Sequence, residues 1–290
     1  VILTNDTGPM SGERRMASLA VFTDLDGTLL DHETYAWEPA AEALDQCRRL
    51  GVPVIMVSSK TRAEMDVLRD ELRLDWPFVS ENGGGIAFPP SCRPAPPVEA
   101  VPVGKDRVWP LGVRYEVVVR ALREIRKGLG LGTLRGFSDM TVEEIRQRTG
   151  LSEQGARLAA QREYDEPVVV EGLTDRERDG LIRAAEERGL QVAAGGRFLH
   201  LFGSCDKGVA VSRVTAWLRT WIPGLRTMGL GDSPNDLPML RVVDVPVLIR
   251  SSRNVTEMLR AIPGIRITEA AGPAAWNRAV MDLLSQGGMD

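Results

Sequence analysis

Cysteine is scarce in this chain. Cys47, Cys92 and Cys205 lie far apart, with no CxxC and no Cys/His spacing, which excludes a disulfide framework and a zinc finger. Each thiol is expected to be a small buried hydrophobe in a reducing, cytoplasmic setting. Long apolar runs are also missing. None reaches the ~18 to 20 residues of a membrane helix, and the opening stretch lacks a signal peptide's basic-then-apolar order. Aromatic residues make up 5% of the chain, and its six tryptophans are too dispersed to form a stacking ladder for single-stranded nucleic acid. There is no excess of positive charge: 36 Lys and Arg stand against 40 Asp and Glu, a net charge of -4. No global field therefore favours nucleic acid or an anionic membrane.

What is present is an ordinary globular composition over 290 residues, enough for about two domains at ~150 residues each. Residues 1–17 read as a loose N-terminal extension, with Met10 and Met16 as candidate starts. After them the chain alternates. "SLAVFTD" is a short buried strand, and Pro39 and Gly51 bracket a helix with Leu44, Cys47 and Leu50 facing inward. "VPVIMVSS" is a second strand, and Thr61 with Glu64 forms a capping box before a helix that buries Met65, Leu68 and Leu72. "PFVSENGGG" is a third strand, followed by the proline-dense "FPPSCRPAPPVEAVPV", which reads as a linker or an extended cap segment. Residues 104–200 then read as a separate α+β unit, and after 205 helix and strand alternate again. The expected fold is α/β: a doubly wound, mostly parallel Rossmann-like core formed by 18–88 and 201–290, with an α+β cap inserted at 89–200.

The chemistry gathers at strand ends. Asp24 closes the first strand and Asp26 follows two residues later, at the edge where open α/β sheets bind ligands. A carboxylate can attack a phosphoryl group to give an aspartyl phosphate, and a second one nearby can protonate the leaving oxygen and then activate water, which makes Asp24 the candidate nucleophile and Asp26 the candidate acid and base. An Asx-rich turn explains the pair equally well. A calcium loop fits poorly, because Thr28 and Leu29 stand where it wants another oxygen ligand and a glycine. "GLGDSPND" adds Asp232, Asn235 and Asp236 after another apolar strand. Hard oxygen donors suit Mg²⁺, so Asp24, the Asp26 main-chain carbonyl and Asp232 form a sensible shell, with Asp236 ligating directly or through water. Helix capping is the bland alternative for Asp232 and Asn235. Ser58 at the end of the second strand and Lys207 at a helix start supply a hydroxyl and an ammonium for the equatorial oxygens of a transferring phosphoryl group.

In their order and spelling, "DLDGTLL", "VSSKT", "DKG" and "GDSPND" resemble the four motifs of the haloacid dehalogenase superfamily, and the insertion resembles its Cof-type cap. Within that superfamily "SSKTRAEM", "SENGGGI", "GFSDMTVEEI", "REYDEP" and "GRFLHLFG" look like the mannosyl-3-phosphoglycerate phosphatases, over about residues 18–250. The resemblance implies Mg²⁺-dependent hydrolysis of a phosphorylated sugar or glycerate. Alternatives are a different sugar-phosphate phosphatase, such as one for glucosyl-3-phosphoglycerate, or a phosphomutase. The proline-rich stretch and the first 17 residues match nothing in that pattern.

Substrate choice then falls to groups that the cap brings over the core. Ser138, Asp139 and Met140 precede a helix start whose N–H groups suit a glycerate carboxylate. Arg162 and Arg197 suit bidentate carboxylate binding, Lys60 and Asn82 sit at core strand ends facing the cap, and Asn235 lies near the metal loop. His200 in "FLHLF" reads as a satisfied buried histidine, Glu163 as helix surface and His32 as a loop residue.

Overall fold

The computed structural model describes residues 18–194, 198–251 and 261–286. The expected extension 1–17, Arg197 and most of the helix expected over "RNVTEMLRAI" lie outside these residues.

In chain order the elements are β1 (Leu19–Thr23), α1 (Ala41–Leu50), β2 (Val54–Met56), α2 (Arg62–Leu72), β3 (Phe78–Ser80), β4 (Gly85–Phe88), β5 (Val101–Val103) and β6 (Asp106–Pro110). Then come α3 (Tyr115–Leu129), β7 (Arg135–Gly136), α4 (Val142–Thr149), α5 (Glu153–Ala159), β8 (Asp165–Val169), α6 (Asp175–Glu186), β9 (Gln191–Ala194) and β10 (Leu199–Phe202). The chain continues with α7 (Lys207–Arg219), β11 (Arg226–Gly231), α8 (Leu237–Leu240), β12 (Val245–Leu248), β13 (Arg266–Ile267) and α9 (Gly272–Gln286).

The central sheet is parallel, in the order β13-β12-β11-β1-β2. Its strands read as nearly continuous apolar runs because both faces are covered. Along β1, Val21 joins the cluster under α1, α2 and α9, around Leu44, Met65 and Trp276, whereas Ala20 and Phe22 join the cluster under α7, around Val214 and Leu218. Local signals end the helices as expected. Gly51 takes the left-handed conformation (φ 69°) after α1, and Thr61 and Glu64 form the capping box of α2. Leu50 departs from the expectation: it is 45% exposed, and the buried face of α1 is Ala43, Leu44 and Cys47.

The insertion begins later than the proline density suggested. β4, β6 and β5 form an antiparallel sheet with β3, and Phe88, Ala100 and Val108 pack into the two core clusters. Residues 89–110 are thus a long hairpin laid on the core, where prolines are tolerated at strand margins. Nor does β3 extend the parallel sheet; it touches it through the single bridge between Val57 and Val79. The inserted α+β unit runs from α3 through β10. Its sheet has the order β7-β8-β10-β9, and α3 and α6 pack on one face of it around Leu122, Ile125 and Leu181. β10 belongs to this sheet, so the return to the core comes after Phe202 and not at 201.

Between the two units the chain passes close to itself. A Cβ on Gly84 would lie 2.4 Å from the Tyr164 Cβ, and one on Gly83 (φ 104°) would lie 2.2 Å from the Asp206 carbonyl oxygen. The glycines of "ENGGG" therefore permit the crossing.

Candidate active site

The carboxyl ends of β1, β2 and β11 are adjacent, and the loops after them deliver Asp24, Ser58 with Lys60, and Asp232 with Asp236. Asp24 is set by its neighbours: its N–H donates to the Leu230 carbonyl, and its own carbonyl accepts from Thr23 Oγ1, which in turn accepts from Trp276 Nε1. Nothing in the sequence pointed to Trp276, 253 residues away.

Lys207, the first residue of α7, is 1% exposed and places Nζ 2.6 Å from Asp24 Oδ1 and 2.7 Å from Asp236 Oδ1. The other oxygen of Asp236 accepts from the N–H groups of Asp232 and Ser233, and from the Ser233 hydroxyl. Both Asp236 oxygens are therefore engaged by the protein, which makes this residue the clamp of the loop and of Lys207. Oxygens of Asp24, Asp232 and Asp236 lie within 4.8 Å of one another. Burial raises the Asp24 pKa well above the usual carboxylate range, and the Asp236 and Asp232 charges raise it further against the opposing pull of Lys207. For Lys207, burial favours the neutral amine, but Asp236 and Asp24 outweigh it and its pKa rises.

Three carboxylates against one ammonium leave two negative charges, which a divalent cation balances. The donor set is all hard oxygen. The approach is kept open by Gly27, where a Cβ would stand 2.9 Å from Asp232 Oδ2. These residues fit a metal ion.

Asp26 turns its Oδ2 to Lys60 Nζ at 2.9 Å, while its Oδ1 is buried and has no hydrogen-bond partner. Lys60 also lies 5.2 Å from the centre of the Tyr35 ring. Burial would lower the Lys60 pKa, but Asp26 and Glu64 reverse that. Above these groups is a cavity of about 230 Å³. Its floor is Asp24, Asp26, Lys60, Asp232 and Asn235. Its roof comes from the inserted unit, through Phe137, Leu151, Ala159, Arg162, Phe198 and His200. His32 and Tyr35 line it as well, so His32 is more than a loop residue. Ser59 lines the cavity, whereas Ser58 is 1% exposed and its Oγ accepts from the Lys60 N–H.

Several expected substrate contacts are instead engaged by the chain itself. Ser138 gives both its N–H and its hydroxyl to Glu166 Oε1, Asp139 pairs with Arg126, and Met140 packs against Ile145 and Ala156. None of the three lines the cavity. Asn82 Nδ2 donates to Asp165 Oδ2 at 2.8 Å, across the boundary between core and insertion. Arg162 lines the cavity with its guanidinium fixed by the carbonyls of Asp165 and Ser59 and by the carboxylate of Asp165. Because α5 ends at Ala159, Arg162 and Glu163 lie in a loop and not on a helix surface.

The same loop docks on the core. The buried Glu81 carboxylate accepts the N–H groups of Glu163, Tyr164 and Asp165, Arg62 pairs with Glu163 at 2.7 Å, and Thr61 Oγ1 donates to the Leu158 carbonyl. Burial pushes the Glu81 pKa up to about 7. These contacts could not be read from the sequence, since each partner lies 80 or more residues away.

Known proteins resemble this chain in sequence and in fold. The pattern of the haloacid dehalogenase-like hydrolases matches residues 21–91. A glucosyl-3-phosphoglycerate/mannosyl-3-phosphoglycerate phosphatase of Methanococcoides burtonii is 38% identical over 92% of this chain and 97% of its own. A mannosyl-3-phosphoglycerate phosphatase of Pyrococcus horikoshii is 32% identical over 85% of this chain and 98% of its own. Among solved structures, a sugar phosphatase of subclass IIB of the same superfamily superposes with a TM-score of 0.63 at 16% identity, over 92% of this chain and 98% of its own. With that pattern matched and with relatives of 38% and 32% identity over most of its length, the chain belongs to the haloacid dehalogenase-like hydrolases.

Proposed function

We propose that this protein hydrolyses the phosphomonoester of mannosyl-3-phosphoglycerate or glucosyl-3-phosphoglycerate, with Asp24 as nucleophile and Asp26 as acid and base. The observation that carries the reading is Asp24, which lines a cavity roofed by the insertion and is held from beneath by the buried Lys207 ammonium, itself bound to Asp236. Identities of 38% and 32%, over most of the chain, to proteins named as phosphatases of these substrates support the substrate class.

An Asp24 carboxylate oxygen forms a bond to phosphorus as the bond from phosphorus to the glycerate oxygen breaks, and Asp26 passes its proton to the departing alkoxide. Asp26 then takes a proton from water, whose oxygen attacks the phosphoaspartate; phosphate leaves and Asp24 is restored. Lys207 holds Asp24 in place and offsets charge on the phosphoryl oxygens. Asp24, Asp232 and the Asp26 main-chain carbonyl would hold Mg²⁺, with Asp236 acting by clamping the loop. When bound, the ion would neutralise phosphate charge. Lys60 fixes the Asp26 carboxylate, and the roof excludes water. The three thiols, all buried and unpaired, fit a reducing cytoplasm.

The test is phosphate release from both glycosyl-phosphoglycerates and from a panel of other sugar phosphates, with Mg²⁺ and with EDTA. Preferred, EDTA-sensitive release from the glycosyl-phosphoglycerates is expected, with a loss of at least about 10³-fold in kcat for Asp24→Asn. Turnover retained in Asp24→Asn would remove Asp24 from the reaction.

A further inference from the structure

His200 is unused by the chemistry above, yet it stands on the cavity wall, held by a chain of buried groups. Residues along β10 alternate: Leu199 and Leu201 enter the cluster beneath α3 and α6, and His200 points to the opposite face, toward the core. Its register partner on β8 is Pro167, also on the cavity, and two residues earlier on β8 lies Asp165. His200 Nδ1 is 2.9 Å from both oxygens of Asp165, which is completely buried. Burial favours the neutral acid at Asp165, but His200 and Arg162 outweigh it and lower its pKa, so it is a carboxylate and Nδ1 carries the hydrogen it accepts. Nε2 is then the ring atom left for a ligand. Asp165 is itself fixed by Asn82 Nδ2 from the core and by the Arg162 guanidinium.

We propose that His200 is a specificity-determining residue whose Nε2 binds an oxygen of the glycosyl-glycerate leaving group, while Asp165 and Asn82 position its ring. The inference rests on the proposed phosphomonoesterase reading of this cavity. It has a structural consequence: Asn82 reaches Asp165 only while the insertion sits on the core, so the ring is aimed when the roof is in place.

The side chains of glutamine and asparagine separate this role from a purely structural one. Glutamine offers its amide, nitrogen or oxygen according to its rotation, where Nε2 lies, and asparagine offers one where Nδ1 lies. His200→Gln is expected to keep kcat/KM for the glycosyl-phosphoglycerates within roughly threefold, while His200→Asn loses roughly 10- to 100-fold, chiefly through KM. Asparagine's deficit relative to glutamine is expected to shrink to about twofold or less on p-nitrophenyl phosphate, which carries no sugar or glycerate. Asparagine matching or exceeding glutamine, or a parallel loss on p-nitrophenyl phosphate, would overturn the proposal. Should His200→Asn fail to fold, Asn82→Gly leaves the ring intact and suits the left-handed backbone at φ 57°. It is expected to raise KM for the glycosyl-phosphoglycerates roughly 3- to 10-fold, and an unchanged KM would break the positioning chain. Wild-type protein that cleaves p-nitrophenyl phosphate but neither glycosyl-phosphoglycerate would overturn the substrate reading, and with it the identity of the bound group. Wild-type turnover with unaffected variants would overturn the role of His200 alone.

Discussion

Without the Lys207 ammonium, Asp24 and Asp236 would face each other as buried carboxylates with Asp232 close by. Breaking a buried ion pair on one side costs ~3–5 kcal/mol, because the remaining charge is stranded. Lys207→Met is therefore expected to lower the urea-unfolding free energy in EDTA by about that amount, and adding Asp24→Asn to restore part of it. Strict additivity of the two changes would show that the residues are not coupled. The residues of this cluster were legible in the sequence because each follows an apolar strand or opens a helix, and the sheet order makes those ends neighbours. Ser138, Asp139 and Asn82 were not legible in the same way. Their hydrogen bonds go to Glu166, Arg126 and Asp165, and a sequence shows which donors exist without showing which of them the fold has already used.

Helix α2 shows how one local signal acquires a longer-range use. The capping box of Thr61 and Glu64 was visible from residue spacing alone, and the structure contains it. The Thr61 hydroxyl also donates to the Leu158 carbonyl at the end of α5, so the start of a core helix touches the insertion. Thr61→Ala is expected to cost ~1 kcal/mol from the lost cap and ~1 kcal/mol more from the lost hydrogen bond to the Leu158 carbonyl, which keeps the Gln161 N–H. Thr61→Ser, which keeps both bonds, is expected to recover most of the loss in chemical denaturation. Equal losses in the two variants would assign the effect to the missing methyl group. The hairpin of β5 and β6 escaped the sequence reading for the opposite reason: its prolines break local periodicity, and only the burial of Ala100 and Val108 against the core shows where it belongs.

At the scale of the whole molecule, core and insertion meet through polar groups, with Glu81 at the centre of the contact. Its carboxylate is fully buried and collects three N–H groups from the loop of the insertion, beside Arg162 at 3.5 Å. Burial outweighs these partners, so its pKa rises from 4.5 to about 7. The folded protein thus holds a proton that the unfolded chain has released between these values, and stability falls as pH rises through that window. The contribution is fully present below the unfolded pKa and amounts to about 3 kcal/mol at most. Glu81→Gln keeps an acceptor for the loop but does not titrate. Its unfolding free energy, followed in urea from pH 4.5 to 8, is expected to lack this decline, so that the wild-type and variant profiles converge or cross as pH rises. Parallel profiles would show that Glu81 keeps an ordinary carboxylate pKa in the folded protein. Because the same loop carries Arg162 and Asp165, tighter docking at mildly acidic pH would be felt at the roof of the cavity. KM for the glycosyl-phosphoglycerates is accordingly expected to vary less with pH in Glu81→Gln than in the wild type.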